Sequence, residues 1–379
     1  MSQEGLTLTA YFGERDRVGG ELLADELLDI HARHEIRASI LLRGVQGFGA
    51  KHRLRTDRLL TLSEDLPVVA MAVDTPGRIE AVLGDMEDIE HEGLLTLERV
   101  RLGDEEPVKG EPTLTADAVE GPRDIAATQG PDEAGTEAHG EATELGAEDA
   151  AKLTCYLGRH ERIDGAPAFV AVCELLRESG VAGATVLLGV DGTRRGQRQR
   201  ARFFARNTGV PLMVMAVGAA DAVRVARKRL AEALPDPLLT VERVRVCKRD
   251  GELLEAPHGV SAADEQGRQM LQKLTIVTSE AAKHENRSVY VELVRRLRTE
   301  GAAGATSLRG IWGFHGDHTP HGDRLLTIRR HVPVMTIAID TPEHVASLFP
   351  IADELTRERG LITSELIPAA SALHTPPAL

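Results

Sequence analysis

The chain has 379 residues, 42% of them hydrophobic, and a formal charge of −14. That length exceeds what one hydrophobic core usually organises, so two or three domains are expected. No segment approaches the ~20 apolar residues of a membrane span, and "MSQEGLTLTAYFG" lacks a basic leader, so a cytoplasmic location is expected.

In chain order, residues 1–102 open with a strand, "LTLTAYFG", in which polar and apolar residues alternate. A helix and a strand ending at Arg43-Gly44 follow, then a loop of a dozen or more residues. The near-continuous apolar run "PVVAMAVD" reads as a strand covered on both faces. Thr75-Pro76 supply a cap and a first-turn proline for a helix with Ile79, Val82, Leu83, Met86 and Ile89 on one stripe. A last strand closes the unit. Residues 103–150 carry fourteen acids against Lys109 and Arg123, nearly all of the chain's net charge, and lack aromatics; they read as a disordered linker.

The pattern then recurs. Residues 151–249 hold "KLTCYLG", a strand ending at Leu188-Gly189, the basic loop "DGTRRGQRQRARFF" and "PLMVMAVG". A shorter linker spans 250–271. Residues 272–370 hold "KLTIVT", a helix at 289–299 with Val289, Tyr290, Leu293, Val294 and Leu297 on one face, a strand ending at Arg309-Gly310, and "PVMTIAID" before Thr341-Pro342; 371–379 is a tail. "GVQGFGAKHRLRTDRLLTL" (44–62) aligns with "GIWGFHGDHTPHGDRLLTI" (310–328) without a gap. "GVAGATVLLG" (180–189) matches "GAAGATSLRG" (301–310), and "PLLTVERVRV" (237–246) matches "GLLTLERVRL" (93–102). The fold class is therefore α+β: three tandem βαββαβ, ferredoxin-like units. The apolar face that each sheet leaves bare of helices has to be buried, and packing three tethered units against one another does so.

The run "GATSLRGIWGFH" (304–315), its weaker forms "RASILLRGVQGFG" (37–49) and "GATVLLGVDG" (183–192), and the "DTP" helix start resemble the DUF190 family, whose members look like PII-type signalling proteins. The resemblance implies a trimer fused into one chain, a PII-like pseudo-trimer that is monomeric in solution. It implies effector clefts between units, and a long loop between strands two and three that touches a protein partner, a membrane transporter being one candidate. The second unit lacks both the Arg and the Gly-Phe, which marks it as structural.

The glycine-rich strand exits are the candidate ligand contacts: Arg43, Gly44, Gly47, Phe48, Gly49, Asp57 and Arg58 in the first unit, and Arg309, Gly310, Gly313, Phe314, Asp323 and Arg324 in the third. Exposed peptide N–H groups beside guanidinium forks suit a phosphate or carboxylate. The expected ligand is a small anionic metabolite, with an adenine nucleotide as one candidate. Against a nucleotide, no glycine-rich basic segment of the PII kind follows helix two, only "EDIEHEGL" (87–94) and "LTRERGL" (355–361).

The third unit's loop also offers His315, Asp317, His318, His321 and Asp323 to a metal. The first unit does not repeat most of this cluster, so a variable effector loop accounts for it better than a metal-dependent enzyme. The arginines 194, 195, 198, 200 and 202 read as a solvated loop, docked if anywhere on the acidic linker. Without interleaved aromatics they make a poor nucleic-acid platform. Trp312 either packs beneath its loop or anchors a partner. Cys155, Cys173 and Cys247 read as reduced core residues. No nucleophile elbow, Walker loop or HExxH helix is present, so neither an enzyme nor a bound cofactor is expected. A ligand-free interaction scaffold is the alternative.

Overall fold

The computed structural model describes residues 3–49, 52–56, 65–86, 89, 93–103, 150–200, 210–257, 270–315, 321–322 and 332–372. Most of both linkers lies outside the described residues.

The first unit runs β1 (Gln3–Gly13), α1 (Leu23–Arg33), β2 (Ala38–Arg43), β3 (Gln46–Phe48), β4 (Pro67–Asp74), α2 (Pro76–Met86) and β5 (Leu94–Leu102). The second runs β6 (Ala150–Gly158), α3 (Ala168–Glu178), β7 (Gly183–Leu188), β8 (Asp191–Arg194), β9 (Pro211–Ala219), α4 (Ala220–Ala233) and β10 (Leu238–Arg249). The third runs β11 (Met270–Ser279), α5 (Val289–Thr299), β12 (Ala305–Arg309), β13 (Trp312–His315), β14 (Pro333–Asp340), α6 (Pro342–Leu355) and β15 (Leu361–Ala372).

Each unit builds one antiparallel sheet in the same order. In the first, β2 pairs with β4, β4 with β1, and β1 with β5. The second repeats this as β7-β9-β6-β10, and the third as β12-β14-β11-β15.

The middle strands are apolar on both sides because both sides are covered. In β4, Val68, Ala70 and Ala72 pack under the two helices. The alternate residues Val69 and Val73 join a core shared by all three units, with Met71 packed against it. The same split recurs in β9, where Leu212, Val214 and Ala216 face α3 and α4 while Met213 lies in the shared core. Each such valine, leucine or methionine side chain, fully buried, contributes about 1.5–3 kcal/mol relative to exposure. The shared core is thus the reason the three sheets face inward.

Helix α5 spans the predicted residues, and Thr341 caps α6 by accepting the His344 amide at 3.3 Å. Helix α2 stops at Met86, so Ile89 is buried beyond its end, with its amide donated to the Met86 carbonyl at 3.0 Å. A further difference lies before each first helix. There, two-residue strands form a small hairpin: Arg17–Val18 with Glu21–Leu22, Arg162–Ile163 with Ala166–Pro167, and Lys283–His284 with Arg287–Ser288. Their turns hold positive φ at Gly19 and Gly20, Asp164 and Gly165, and Glu285 and Asn286, the geometry that favours tight hairpins. All three cysteines are buried and free.

Candidate functional site

The units meet where the chain leaves the second strand of each. It continues as a short strand along the neighbour's second strand: β3 on β12, β13 on β7, and β8 on β2. The first unit thus pairs with the third, the third with the second and the second with the first, so the ring closes. The last strands also meet in a ring, β5 with β10, β10 with β15 and β15 with β5.

The strand-exit glycines make this possible. The amides of Gly44, Gly189 and Gly310 donate to the carbonyls of Pro67, Pro211 and Pro333 at 2.8, 2.9 and 2.8 Å. The next amides, Val45, Val190 and Ile311, donate across the seam to Ser307, Leu41 and Val186 at 2.8, 2.8 and 2.9 Å. A Cβ on Gly47, Gly192 or Gly313 would stand 2.4, 2.2 or 2.3 Å from the carbonyl oxygen of Ala305, Ser39 or Ala184. Glycine is required here for the approach of two backbones. The Gly44 and Gly310 N–H groups, expected to face an anion, are engaged in holding strands together.

The aromatic residues that follow serve the seam as well. Phe48 of the first unit is buried in the third unit's core beside Val294 and Leu297, and stacks on His52 at 5.8 Å. Phe314 of the third unit enters the second unit's core. Trp312 packs there too, edge-on to Phe169 at 6.3 Å. Gly49 borders open space. Arg43 and Arg309 each pair with a carboxylate of their own unit, Glu14 at 2.7 Å and Glu280 at 2.9 Å. Asp57, Arg58, Asp323, Arg324, Asp317 and His318 lie outside the described residues, and of His315 and His321 the backbone alone is described.

Two cavities carry a cluster of charges. The larger, about 660 Å³, lies along α5 and is lined by His284, Arg287, Glu292, Arg295, Arg296 and Glu300. Its arginines are matched within it: Glu292 accepts from Arg295 and from Arg296 at 2.9 Å, and Arg296 also reaches Glu354 at 3.1 Å. Hydrogen bonds from Arg295, the chief influence, and from Arg296 hold the Glu292 carboxyl down to about 2.

The smaller cavity, about 280 Å³, lies on the seam between the first and second units, lined by Glu35, Arg37, Asp74, Thr75, Arg78 and Arg195. Asp74 is spent on structure, accepting the amides of Arg37 at 2.8 Å and Thr75 at 2.7 Å. Arg78 is anchored on the carbonyls of His34 and Glu35 at 3.0 and 2.6 Å, at the start of α2. Arg195 comes from the second unit, and its amide donates to the Arg37 carbonyl at 3.0 Å. Three arginines from two units therefore line one concavity beside the positive end of α2, each with an acid near it: Arg37 lies 3.6 Å from Asp74, Arg78 3.8 Å from Glu35, and Arg195 contacts Asp236. Sequence reasoning missed Arg37 and Arg78. The available signal was that both are particular to the first unit: the third has Ala303 and His344 at the same positions, and the second Ala182 and Ala222.

The DUF190 family model, described as "Uncharacterized ACR", matches three stretches of the chain, residues 5–102, 150–246 and 271–369. The chain belongs to the DUF190 family. Its three DUF190 units follow one another in tandem. No helix among the described residues is long and apolar enough to cross a membrane.

The expectation that the second DUF190 unit's basic run is a solvated loop is corrected at Arg198, while Arg195 and Arg200 are exposed and Arg202 and most of the acidic linker lie outside the described residues. Arg198 extends onto α1 of the first unit, 2.6 Å from Asp29 and in contact with Asp25, while holding its own Asp191 at 2.8 Å. Arg200 reaches the same Asp25 at 3.1 Å. Arg194 contacts Glu161, and Arg195 contacts Asp236. Hydrogen bonds from the acids around Arg198, Asp191 first, outweigh its partial burial and raise its pKa further. Asp25 and Asp29, which receive Arg198 from the other unit, belong to a folded helix far away in sequence.

Proposed function

We propose that this DUF190 chain is a PII-like regulatory protein without catalytic activity, in which three ferredoxin-like units form a fused trimer about a pseudo-threefold axis. The strand order within each unit and the closed ring of seams support that architecture. It senses a small anionic metabolite at an inter-unit cleft, and its loops relay occupancy to a protein partner, for which a membrane transporter is the candidate that the family resemblance suggests.

The observation that carries this reading is the convergence of Arg37, Arg78 and Arg195 on one seam. Guanidinium forks recognise phosphate and carboxylate oxygens in pairs. A cavity of about 280 Å³ sits at the low end of ligand sites, which run from about 300 Å³ upward. It suits a phosphate or compact carboxylate group, with any nucleoside part lying along the seam. Because the cleft is built from two units, an occupant would tie the second unit's loop to the first unit's sheet, giving the loop a state to report.

The test is thermal unfolding of the full chain with phosphate, adenine nucleotides and dicarboxylates at millimolar concentration. A ligand bound only by the folded state raises the melting temperature with its saturation. An anion that stabilises the native chain but not Arg78→Ala supports the cleft; no stabilisation by any of them supports a ligand-free scaffold.

A further inference from the structure

On the axis where the three sheets face one another, the shared apolar core is interrupted by charge. Glu98, Glu242 and Glu365 occupy the same place in the last strand of each unit, with carboxylate oxygens within 4.8 Å of one another. Across each sheet stands a residue of the first strand, paired in register: Lys152 opposite Glu242, Lys273 opposite Glu365, and Thr7 opposite Glu98. Directly opposed residues of an antiparallel pair share a face, so Thr7 points where the two lysines point.

The two ammonium groups bridge the carboxylates in rotation. Lys152 contacts its own Glu242 at 2.7 Å, Glu365 of the third unit at 2.5 Å and, more loosely, Glu98 of the first at 3.5 Å. Lys273 contacts its own Glu365 at 2.9 Å and Glu98 of the first unit. The first unit's counterpart of these lysines, which would stand between Glu98 and Glu242, is position 7, and it holds threonine, so that pair is joined only through the longer 3.5 Å contact of Lys152. Three carboxylates and two ammonium groups leave one negative charge uncompensated in a water-poor core, a costly arrangement without a further partner.

A second observation points to the same gap. The Thr7 hydroxyl has no hydrogen-bond partner among the described residues, and the residue is 2% exposed. The next pair along this face is Thr9 opposite Thr96, and neither hydroxyl has a partner there. Three buried, unpartnered hydroxyls thus lie on the same sheet face as Glu98, in the unit that has threonine in place of the lysine. Unsatisfied hydroxyls in a core call for an occupant.

We propose that a monovalent alkali cation occupies the gap between Glu98 and Glu242, coordinated by their carboxylates and by the hydroxyls of Thr7, Thr9 and Thr96, and that it takes the electrostatic place of the missing third lysine. The ligand set is all oxygen, which selects a hard cation. The charge count selects a single charge, because a divalent ion would leave the core positive. Such an ion joins the first unit to the second, and its binding is part of assembling the ring.

The competing occupant is a proton. Burial, with Lys152 opposing it and Glu98 and Glu365 reinforcing it, pushes the Glu242 carboxyl up to about 7. Burial also acts to raise Glu98, but Lys273 and Lys152 outweigh it, and with a hydrogen bond to Glu242 hold it down to about 2. Burial favours loss of the Lys152 proton, but Glu242, Glu365 and Glu98 outweigh it and raise its pKa, so it stays charged. Lys273, Glu365, Tyr11 and Tyr156 complete the surrounding titratable groups.

The experiment is thermal unfolding of the full chain at fixed ionic strength in sodium, potassium, magnesium or N-methylglucamine chloride. Sodium or potassium is expected to raise the melting temperature by several degrees over the organic cation. Thr7→Lys supplies the third ammonium, and its melting should not depend on the cation. Equal melting of the native chain in alkali and organic cations, stabilisation by magnesium alone, or a Thr7→Lys protein that keeps the full alkali increment each overturns the proposal. If Thr7→Lys does not fold, crystals of the native chain soaked in rubidium decide it: an anomalous peak between Glu98 and Glu242 is expected, and its absence overturns the site.

Discussion

The seam between the third and second units and the seam between the second and first share one backbone design but are filled in opposite ways. In the former, Gly313 lies against Ala184 and the next residue, Phe314, is buried in the neighbour's core. In the latter, Gly192 lies against Ser39, and the next residue is Thr193, whose hydroxyl bonds that of Ser39 at 2.8 Å. The second unit compensates outside the core, with Arg198 on Asp25 and Asp29. The lesson is that a repeated interface can keep its hydrogen-bond ladder while exchanging an apolar plug for an ionic clamp. That exchange leaves one seam polar enough to hold the Arg37, Arg78 and Arg195 cavity.

Substitutions can break or sharpen this contrast. Phe314→Ala should cost the most, about 3–5 kcal/mol as for other buried aromatics truncated to alanine, read as a lower denaturant midpoint; a loss under about 1 kcal/mol would mean the plug is not what joins the two units. Phe48→Ala should behave similarly at the seam between the first and third units, with the neighbouring cavity of Val294 and Leu297 left unfilled.

Arg198→Ala should cost about 1–3 kcal/mol, since it removes a charge-assisted partner from Asp191, which is buried. The same denaturation series should show this loss shrinking at high salt, in contrast to the salt-insensitive phenylalanine variants. Arg78→Ala should leave the fold almost untouched and weaken phosphate binding about tenfold, roughly 1.4 kcal/mol, by titration calorimetry. Arg43→Ala, whose side chain is paired with Glu14 away from that cavity, should weaken it less; the reverse order would relocate the ligand to the strand exit. Smallest is Thr193→Val, at about 1 kcal/mol for one buried hydrogen bond, because the Thr193 amide still donates to Ser39 at 3.0 Å.

Much of the fold was legible in residues alone. The gapless match of 44–62 with 310–328 shows the repeat, and the two-sided apolar runs at 67–74 and 211–218 show that both faces of each sheet are covered. Both are local patterns, dictated by side-chain period and by which surfaces must leave water. The small hairpins at Gly19-Gly20 and Asp164-Gly165 were not read from the residues, although Gly-Gly and Asp-Gly are turn dipeptides.

The candidate sites were not legible, because their members are close only after the ring closes. The arginine run at 194–200 looks solvated until Asp25 and Asp29 of another unit come within reach. Gly47 and Gly313 look like a ligand cradle until the neighbour's carbonyl occupies that space. The sequence by itself determined three units, their elements and their faces, since these depend on neighbours a few positions apart. Tertiary structure alone decided that Glu98, Glu242 and Glu365 come together with Lys152 and Lys273, because the energy of a buried charge depends on which distant groups surround it.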